Sequence, residues 1–335
     1  MDIISENHFI SQSIMLLLCC TFSEYISVAS SIFSPGQSLS GNQTITSTGG
    51  IFELGFFTPG NSQNYYIGIW YKNLPHQTVV WVANRNQPVS DPISSTLELH
   101  ANGNLILHGL SKLPIWSTNS TSEIANSTIG MLLDSGNFVL RDASDPSAVI
   151  WQSFDFPTDT CLPGARLGYN KLTKEKLILR PWRTSSDPAP GLFYLELQQN
   201  GTSVWLLWNG SETYWTSGYW TGKLFSIVPE MAENNYISNF TFASNKNGSY
   251  FTYADASSNT FIRIMLEITG QLKLFIRGKE FTQWTLTWMP PLEQCDVYGS
   301  CGAFSICNQK NVSLCGCLQG FEPQVPKDWK LQDHK

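Results

Sequence analysis

The segment GNLILHGLSKLPIW at 103–116 is the clearest indication of the fold, because it recurs as GNFVLRDASDPSAVIW at 136–151. Each copy contains a Gly-Asn turn, a short apolar strand, a loop and a second strand that ends in tryptophan, Trp116 or Trp151. A looser third copy contains either Ile69-Trp70-Tyr71 or Val80-Trp81-Val82. One such unit cannot bury its apolar face alone, so we predict three four-stranded leaves around a pseudo-threefold axis. Their tryptophans are predicted to form core rather than a sugar-stacking surface.

The rest of the chain follows the same β pattern. Short runs rich in Ile, Val, Phe, Tyr, Trp and Thr recur between Gly, Asn, Ser and Pro breaks, and helical periodicity is nearly absent. Turn signals roughly every 8–12 residues are typical of sandwiches, barrels or prisms. The sequence therefore predicts an all-β protein.

Cysteines and an apolar leader indicate the secretory pathway. Five cysteines crowd the end of the sequence, at Cys295, Cys301, Cys307, Cys315 and Cys317, with no CxxC pair and no nearby histidine at zinc-ligand spacing. This pattern predicts disulfides rather than zinc. The apolar run at 14–22 is too short to span a bilayer and precedes small residues at 28–31, which predicts a signal peptide at 1–30. No later run has the length of a transmembrane helix, so we expect a released protein.

Glycosylation motifs and composition agree with export. Eight Asn-x-Ser/Thr sequons predict exposed, glycosylated turns at Asn42, Asn119, Asn126, Asn200, Asn209, Asn239, Asn247 and Asn311. Only 14% of residues are charged and the net charge is −6. A basic stripe for nucleic acid is absent from the sequence, so nucleic acid partners are excluded.

Several motifs in order along the chain resemble one plant receptor family. The segments at 52–60, 66–71, 80–85, 133–140 and 151–160 resemble the bulb-type lectin domain of plant S-locus-type receptor-like kinases. The middle, with Asp187-Pro188-Ala189-Pro190-Gly191 and Tyr219-Trp220, resembles the S-locus glycoprotein region of that family. The cysteine run, with 317–323, resembles its EGF-like module.

The resemblance implies two tandem β-prism domains of the bulb-lectin type and a small disulfide-rich module. The predicted divisions are a signal peptide (1–30), a bulb-type lectin domain (31–153), a second lectin-like or S-locus glycoprotein domain (154–290), a truncated EGF-like module (291–327) and a tail (328–335). The EGF-like pattern implies the disulfides Cys295–Cys307 and Cys301–Cys315. Cys161 and Cys317 are left over: they are free, pair with each other or bridge to another chain. Without a sixth cysteine, we expect residues after about Glu322 to be loosely ordered.

The resemblance also locates a sugar site. Bulb lectins bind mannose through Q-x-D-x-N-x-V-x-Y, taken here to lie on one strand whose alternate residues face the same side. The best match in this chain has His, Asn, Asn, Ile and His at the five positions, which are His100, Asn102, Asn104, Ile106 and His108. The second leaf offers 133–141 and the third 46–54, with fewer matches. Because the charged acceptor is lost everywhere, we predict degenerate sites. Weak or altered glycan binding at 100–108 is an alternative, and a purely structural role of Asn104 and Asn137 in the Gly-Asn turns is favoured.

Metal, cofactor and catalytic sites are not predicted. The turn at 101–104 brings His100 and His108 together, but no third metal ligand is evident from the sequence, so we expect no metal. Asp155 and Asp159 flank a proline and are interpreted as turn caps rather than a glycosidase pair. The sequence shows no kinase glycine-rich loop, HRD or DFG motif, although full-length relatives are serine/threonine protein kinases. We expect neither enzymatic activity nor a cofactor.

The sequence and the family resemblance lead to two hypotheses for the function. The first is an extracellular recognition module of the receptor-like kinase type, which binds a glycan, a peptide or a partner ectodomain as a homodimer or heterodimer; the family implies roles in pollen recognition and defence signalling. The alternative is a secreted mannose-type lectin that acts alone. Both place the chain outside the cell, or at the plasma membrane if a longer form carries a transmembrane helix.

Overall fold

The computed structural model describes residues 31–121, 127–198, 202–233, 237–255, 257 and 259–323. The predicted signal peptide, the tail and nearly all of the segment after Glu322 lie outside these residues. Strands dominate the described part, in which the α-helical structure is a single turn, α1 (Glu230–Glu233). The all-β prediction is confirmed. None of the helices in the described part is long and apolar enough to cross a bilayer.

Residues 32–152 form three antiparallel sheets of four strands, here called leaves 1, 2 and 3. Leaf 1 contains β3 (Thr44–Thr46), β4 (Phe52–Phe57), β5 (Tyr66–Tyr71) and β6 (Thr78–Val82). Leaf 2 contains β2 (Ser38–Leu39), β7 (Thr96–Leu99), β8 (Leu105–His108) and β9 (Pro114–Ser117). Leaf 3 contains β1 (Ile32–Phe33), β10 (Thr128–Leu132), β11 (Phe138–Asp142) and β12 (Val149–Gln152). The short strands β1 and β2 complete leaves whose other strands lie far away in sequence.

The alternation of residues along the strands separates core from surface. On β7 and β8, Leu97, Leu99, Leu105 and Leu107 are at most 1% exposed. The residues between them are half-buried on the outer face. On leaf 2 this period of two places the leucines in the shared core and the residues between them on the outer face.

Three tryptophans, one from each leaf, meet in the core. The ring centroids of Trp81, Trp116 and Trp151 lie 6.0–6.1 Å apart in pairwise edge-to-face contacts. The Trp81 indole also donates to the carbonyl oxygen of Phe156 at 2.8 Å. The three leaves and their tryptophan core are therefore present as predicted, and the third copy is the one that contains Trp81.

Residues 160–288 form three further sheets. The first contains β13 (Thr160–Cys161), β23 (Thr260–Leu266), β24 (Leu272–Gly278) and β25 (Thr285–Trp288). The second contains β14 (Leu167–Asn170), β15 (Lys176–Leu177), β21 (Ile237–Ser244) and β22 (Gly248–Asp255). The third contains β18 (Phe193–Leu197), β19 (Val204–Trp208) and β20 (Glu212–Thr216). Their inner faces share one apolar core.

A two-stranded ribbon, β16 (Trp182–Thr184) and β17 (Asp187–Pro190), is fastened to leaf 1 by Arg85. The guanidinium donates to the carbonyl oxygens of Pro188 at 2.6 Å, Arg180 at 3.0 Å and Pro181 at 2.8 Å. Burial lowers the pKa of Arg85 to about 10, and the charge of Asp159 opposes that shift. The arginine therefore joins the leaves to the residues that follow them.

The cysteine-rich end folds around a hairpin of β26 (Ser305–Cys307) and β27 (Cys315–Cys317). The structure contains the disulfides Cys295–Cys307 and Cys301–Cys315, which is the pairing that the family resemblance implied. Cys161 and Cys317 are free within the described residues. Cys161 is buried, and burial raises the pKa of its thiol to about 12.

Candidate functional site

The predicted sugar residues lie on the β7–β8 hairpin of leaf 2. Their placement on a single strand is wrong, because β7 ends at Leu99 and β8 begins at Leu105. Gly103 adopts φ +78° and its N–H donates to the carbonyl oxygen of His100 at 2.9 Å, which closes a tight turn. Ile106 and His108 follow on β8. The structure thus brings the set to one hairpin rather than to one strand face.

The Asn104 side chain joins this hairpin to the segment after β9 by hydrogen bonds. Its side-chain oxygen accepts from the Ser120 N–H at 2.7 Å, the Thr118 hydroxyl at 3.0 Å and the Ser120 hydroxyl at 3.1 Å. Its side-chain nitrogen donates to the carbonyl oxygen of Ser120 at 3.1 Å. Asn102 accepts from the Asn104 N–H at 3.0 Å, an Asx turn. Both asparagines therefore satisfy local backbone and side-chain groups.

Leaf 3 repeats the arrangement around Asn137. The side-chain oxygen of Asn137 accepts from the Ser153 hydroxyl at 3.1 Å and the Phe154 N–H at 3.2 Å. Its nitrogen donates to the side chain of Gln152 at 2.9 Å. Gly136 has φ +83°, the same left-handed conformation as Gly103. These contacts agree with the structural role that the sequence favoured for the asparagines of the Gly-Asn turns.

Strand pairing corrects the position that the sequence analysis assigned to the mannose motif on leaf 1. Leu107 opposes Trp116, Leu140 opposes Trp151 and Ile69 opposes Trp81, each beside a bulge in the pairing. By this register the residues of leaf 1 that correspond to the motif lie on β5, at Tyr66, Gly68 and Trp70, and not at 46–54. Sequence reasoning missed them because Tyr65 and Tyr66 stand where the other two leaves have Gly-Asn.

Aromatic side chains fill the corresponding place on leaf 1. Phe57, Tyr66 and Trp70 form a buried cluster with Val82, and Trp182 from the β16–β17 ribbon packs against it. The Phe57 and Trp182 ring centroids are 6.1 Å apart. This cluster places aromatic side chains where the mannose motif has polar residues.

His100 and His108 do meet, and Glu98 meets them. The two imidazole centroids are 5.3 Å apart, tilted by 34°. His100 Nε2 lies 3.6 Å from Glu98 Oε2, and that nitrogen is buried without a hydrogen-bond partner. One donor atom from each of the three side chains lies within 4.8 Å of the others. Glu98 was missed in the sequence because it lies on the strand before the turn and outside the motif.

The carboxylates at 155 and 159 have separate partners. Asp155 accepts from Arg166 Nη2 at 3.1 Å and from Gln152 Nε2 at 3.0 Å. Asp159 is 4% exposed and accepts from the hydroxyls of Thr158 and Thr160. Burial raises the pKa of Asp159, and the charge of Arg85 opposes the rise. Their partners agree with structural roles.

The described sequon asparagines are all exposed. This group consists of Asn42, Asn119, Asn209, Asn239, Asn247 and Asn311. Asn126 and Asn200 lie outside the described residues. Exposure makes the six side chains accessible for attachment of a glycan.

A groove runs beside the exposed end of the tryptophan core. Its volume is about 1060 Å³, and residues from all three leaves and from β14, β15 and β17 line it. Phe156 is 51% exposed and stacks on Trp151 with centroids 5.3 Å apart and planes 14° from parallel. Arg166 and Glu175 supply charges of opposite sign to the same groove. The groove therefore offers an aromatic surface beside polar groups.

These features define the class of protein: an all-β, lectin-type chain with a disulfide-linked end. The family model "D-mannose binding lectin" matches residues 78–183, and the model "S-locus glycoprotein domain" matches residues 215–325. The S-locus-specific glycoprotein S6 of Brassica oleracea is 37% identical over 94% of this chain and 72% of its own length. A G-type lectin S-receptor-like serine/threonine-protein kinase of Arabidopsis thaliana is 47% identical over 88% of this chain.

The chain belongs to the family of S-locus glycoproteins and G-type lectin S-receptor-like kinases. It spans about a third of the length of the kinases that it matches, since it covers 36% of the Arabidopsis relative. A solved monomeric mannose-binding lectin from Gastrodia elata matches 37% of this chain at 18% identity with a TM-score of 0.28, a similarity too slight to support an argument.

Proposed function

We propose that the chain is an extracellular recognition module of the receptor-like kinase type whose mannose sites are degenerate. Its ligand is a glycan, a peptide or a partner ectodomain, and the chain itself carries out no catalysis. The domains that we propose for it are two tandem β-prisms at 31–153 and 154–290, followed by an EGF-like module at 291–327. Family membership and the disulfides support a location outside the cell or at its surface.

The observation that carries this proposal is that hydrogen bonds within the chain occupy the Asn104 side chain. In the mannose motif this amide faces the sugar, together with an ionised carboxylate at the position of Asn102. Here the Asn104 amide makes four hydrogen bonds to residues 118 and 120. Hydrogen bonds to a charged group are worth about 1.5–3 kcal/mol against 0.5–1.5 kcal/mol for neutral ones. A neutral amide at 102 therefore removes the strongest sugar contact.

The groove beside Phe156 is the surface that we assign to the ligand. Its stacked aromatic rings and its charges of both signs suit a sugar ring or a peptide with an aromatic residue, since such surfaces combine apolar contact with directed polar groups. Phe156→Ala removes the exposed ring. Phe281→Ala, which removes a 69% exposed ring outside the residues that line the groove, is the matched control.

A glycan array with the secreted glycoprotein, followed by a peptide-display screen, tests the proposal. We expect little signal on mannose-terminated glycans and a ligand whose binding weakens with Phe156→Ala but not with Phe281→Ala. A strong mannose signal that Asn104→Ala abolishes would instead establish the alternative, a mannose-type lectin that acts alone. That alternative draws its support from the retained Asn104 and the apolar Ile106.

A further inference from the structure

We propose that Glu98, His100 and His108 form a binding site for a divalent transition-metal ion of the Zn²⁺ type. The three side chains share the outer face of the β7–β8 hairpin. Two of them, His100 and His108, occupy the positions at which the mannose motif has Gln and Tyr. The replacements that remove sugar-binding groups thus supply two imidazoles. This inference is independent of the ligand proposed for the groove.

The geometry is close to that of a bound ion. Zinc bonds of about 2.0–2.1 Å in a tetrahedral site place neighbouring ligand atoms roughly 3.3 Å apart. His100 Nε2 and Glu98 Oε2 are already 3.6 Å apart, and the whole set lies within 4.8 Å. All three side chains are half-buried, and the proposal requires their outer atoms to rotate toward one another to close the remaining distance.

His100 provides a second observation. Its Nε2 atom is buried and has no hydrogen-bond partner, and the carboxylate nearby lies beyond hydrogen-bond range. A buried polar nitrogen without a partner is costly. Coordination of an ion between this nitrogen, His108 and Glu98 satisfies it.

The donor set selects the kind of ion. Two imidazoles and one carboxylate favour zinc, copper or nickel, whereas calcium and magnesium prefer oxygen ligands alone. Three protein ligands leave a fourth tetrahedral position for water or for a donor atom from a bound molecule. Ile106, which pairs with Glu98 across the hairpin, gives the site an apolar neighbour.

Isothermal titration of the secreted, chelator-treated full chain with ZnCl₂, prepared without a histidine tag, tests the site. We expect one equivalent to bind saturably and MgCl₂ to give no saturable heat. Glu98→Gln, His100→Gln and His108→Gln each weaken zinc binding by about tenfold or more, since even indirect partners of metal ligands are worth about 10–100-fold. His76→Gln, at an exposed histidine on the loop between β5 and β6, leaves it unchanged.

A second measurement does not depend on variants. Cobalt substituted into the wild-type site gives the intense visible bands of a tetrahedral ion with nitrogen and oxygen ligands. Thermal unfolding without metal checks that each variant is folded. The proposal is overturned if wild type binds no zinc saturably, if zinc binding survives loss of both histidines, or if cobalt gives only the spectrum of the hydrated ion.

Discussion

Replacement of Asn104 by alanine separates a structural role from a ligand-binding role. The substitution removes four hydrogen bonds that join the β7–β8 turn to residues 118 and 120. At about 0.5–1.5 kcal/mol each, and with the two Ser120 backbone groups left unpaired, we expect the free energy of unfolding to fall by about 2–3 kcal/mol. The two hydroxyls turn to water, which keeps the loss below the full sum.

Two related variants provide a comparison for this loss of stability. Asn102→Ala removes one hydrogen bond in an exposed turn and is expected to cost less than about 1 kcal/mol. Asn104→Asp keeps the acceptor oxygen but loses the donor to Ser120, so its cost is expected between the other two. Denaturant unfolding followed by tryptophan fluorescence measures all three. If Asn104→Ala costs no more than Asn102→Ala, the structural role assigned to Asn104 is refuted.

Three further predictions follow. Trp151→Ala opens the tryptophan core and is expected to cost about 3–5 kcal/mol in denaturant unfolding, whereas Phe281→Ala, at a 69% exposed ring, costs little; similar losses would contradict the shared core. Cys317 is expected to react with iodoacetamide in the native protein while the buried Cys161, its thiol pKa raised to about 12, reacts only on unfolding; mass spectrometry of the labelled peptides distinguishes them, and rapid labelling of both would be inconsistent with the burial. Arg85→Lys keeps the charge but loses the planar fork that reaches three carbonyl groups, so unfolding should be easier by about 1–3 kcal/mol; an unchanged midpoint would count against that contact.

The repeat made the three leaves predictable from the sequence. The Gly-Asn turn, the strand and the terminal tryptophan are local features, and their recurrence implies equivalent packing. The same argument left the third copy open between two tryptophans. It could not choose between Trp70 and Trp81, because both follow strand-like residues and only the strand pairing decides which one enters the core.

The sequence motif indicated residues 100–108 but not their geometry, and their role as a sugar site stays a prediction. The motif's spacing of two suggested a single strand, whereas the structure has a hairpin. The left-handed Gly103 makes a turn in that interval, which changes which side chains face one another. Glu98 joins the histidines through cross-strand proximity, and a search restricted to residues within the motif cannot find a ligand that lies before it.

Contacts between distant segments were also beyond the sequence. Arg85 looked like part of a family motif, and nothing local indicates that its partners are carbonyl groups at 180, 181 and 188. The packing of Trp182 against leaf 1 is also a contact between distant segments that no local feature indicates. Such contacts depend on how two sets of sheets pack, which no local pattern encodes.

Titration of methyl α-mannoside into two forms of the secreted chain tests most directly whether the sugar site is degenerate. The forms are wild type and the variant His100→Gln/Asn102→Asp/Ile106→Val/His108→Tyr, which rebuilds the mannose motif on the β7–β8 hairpin. We expect no saturable heat from wild type and measurable one-site binding from the rebuilt hairpin, since the restored carboxylate supplies the strongest contact. Saturable mannose binding by wild type would contradict the account.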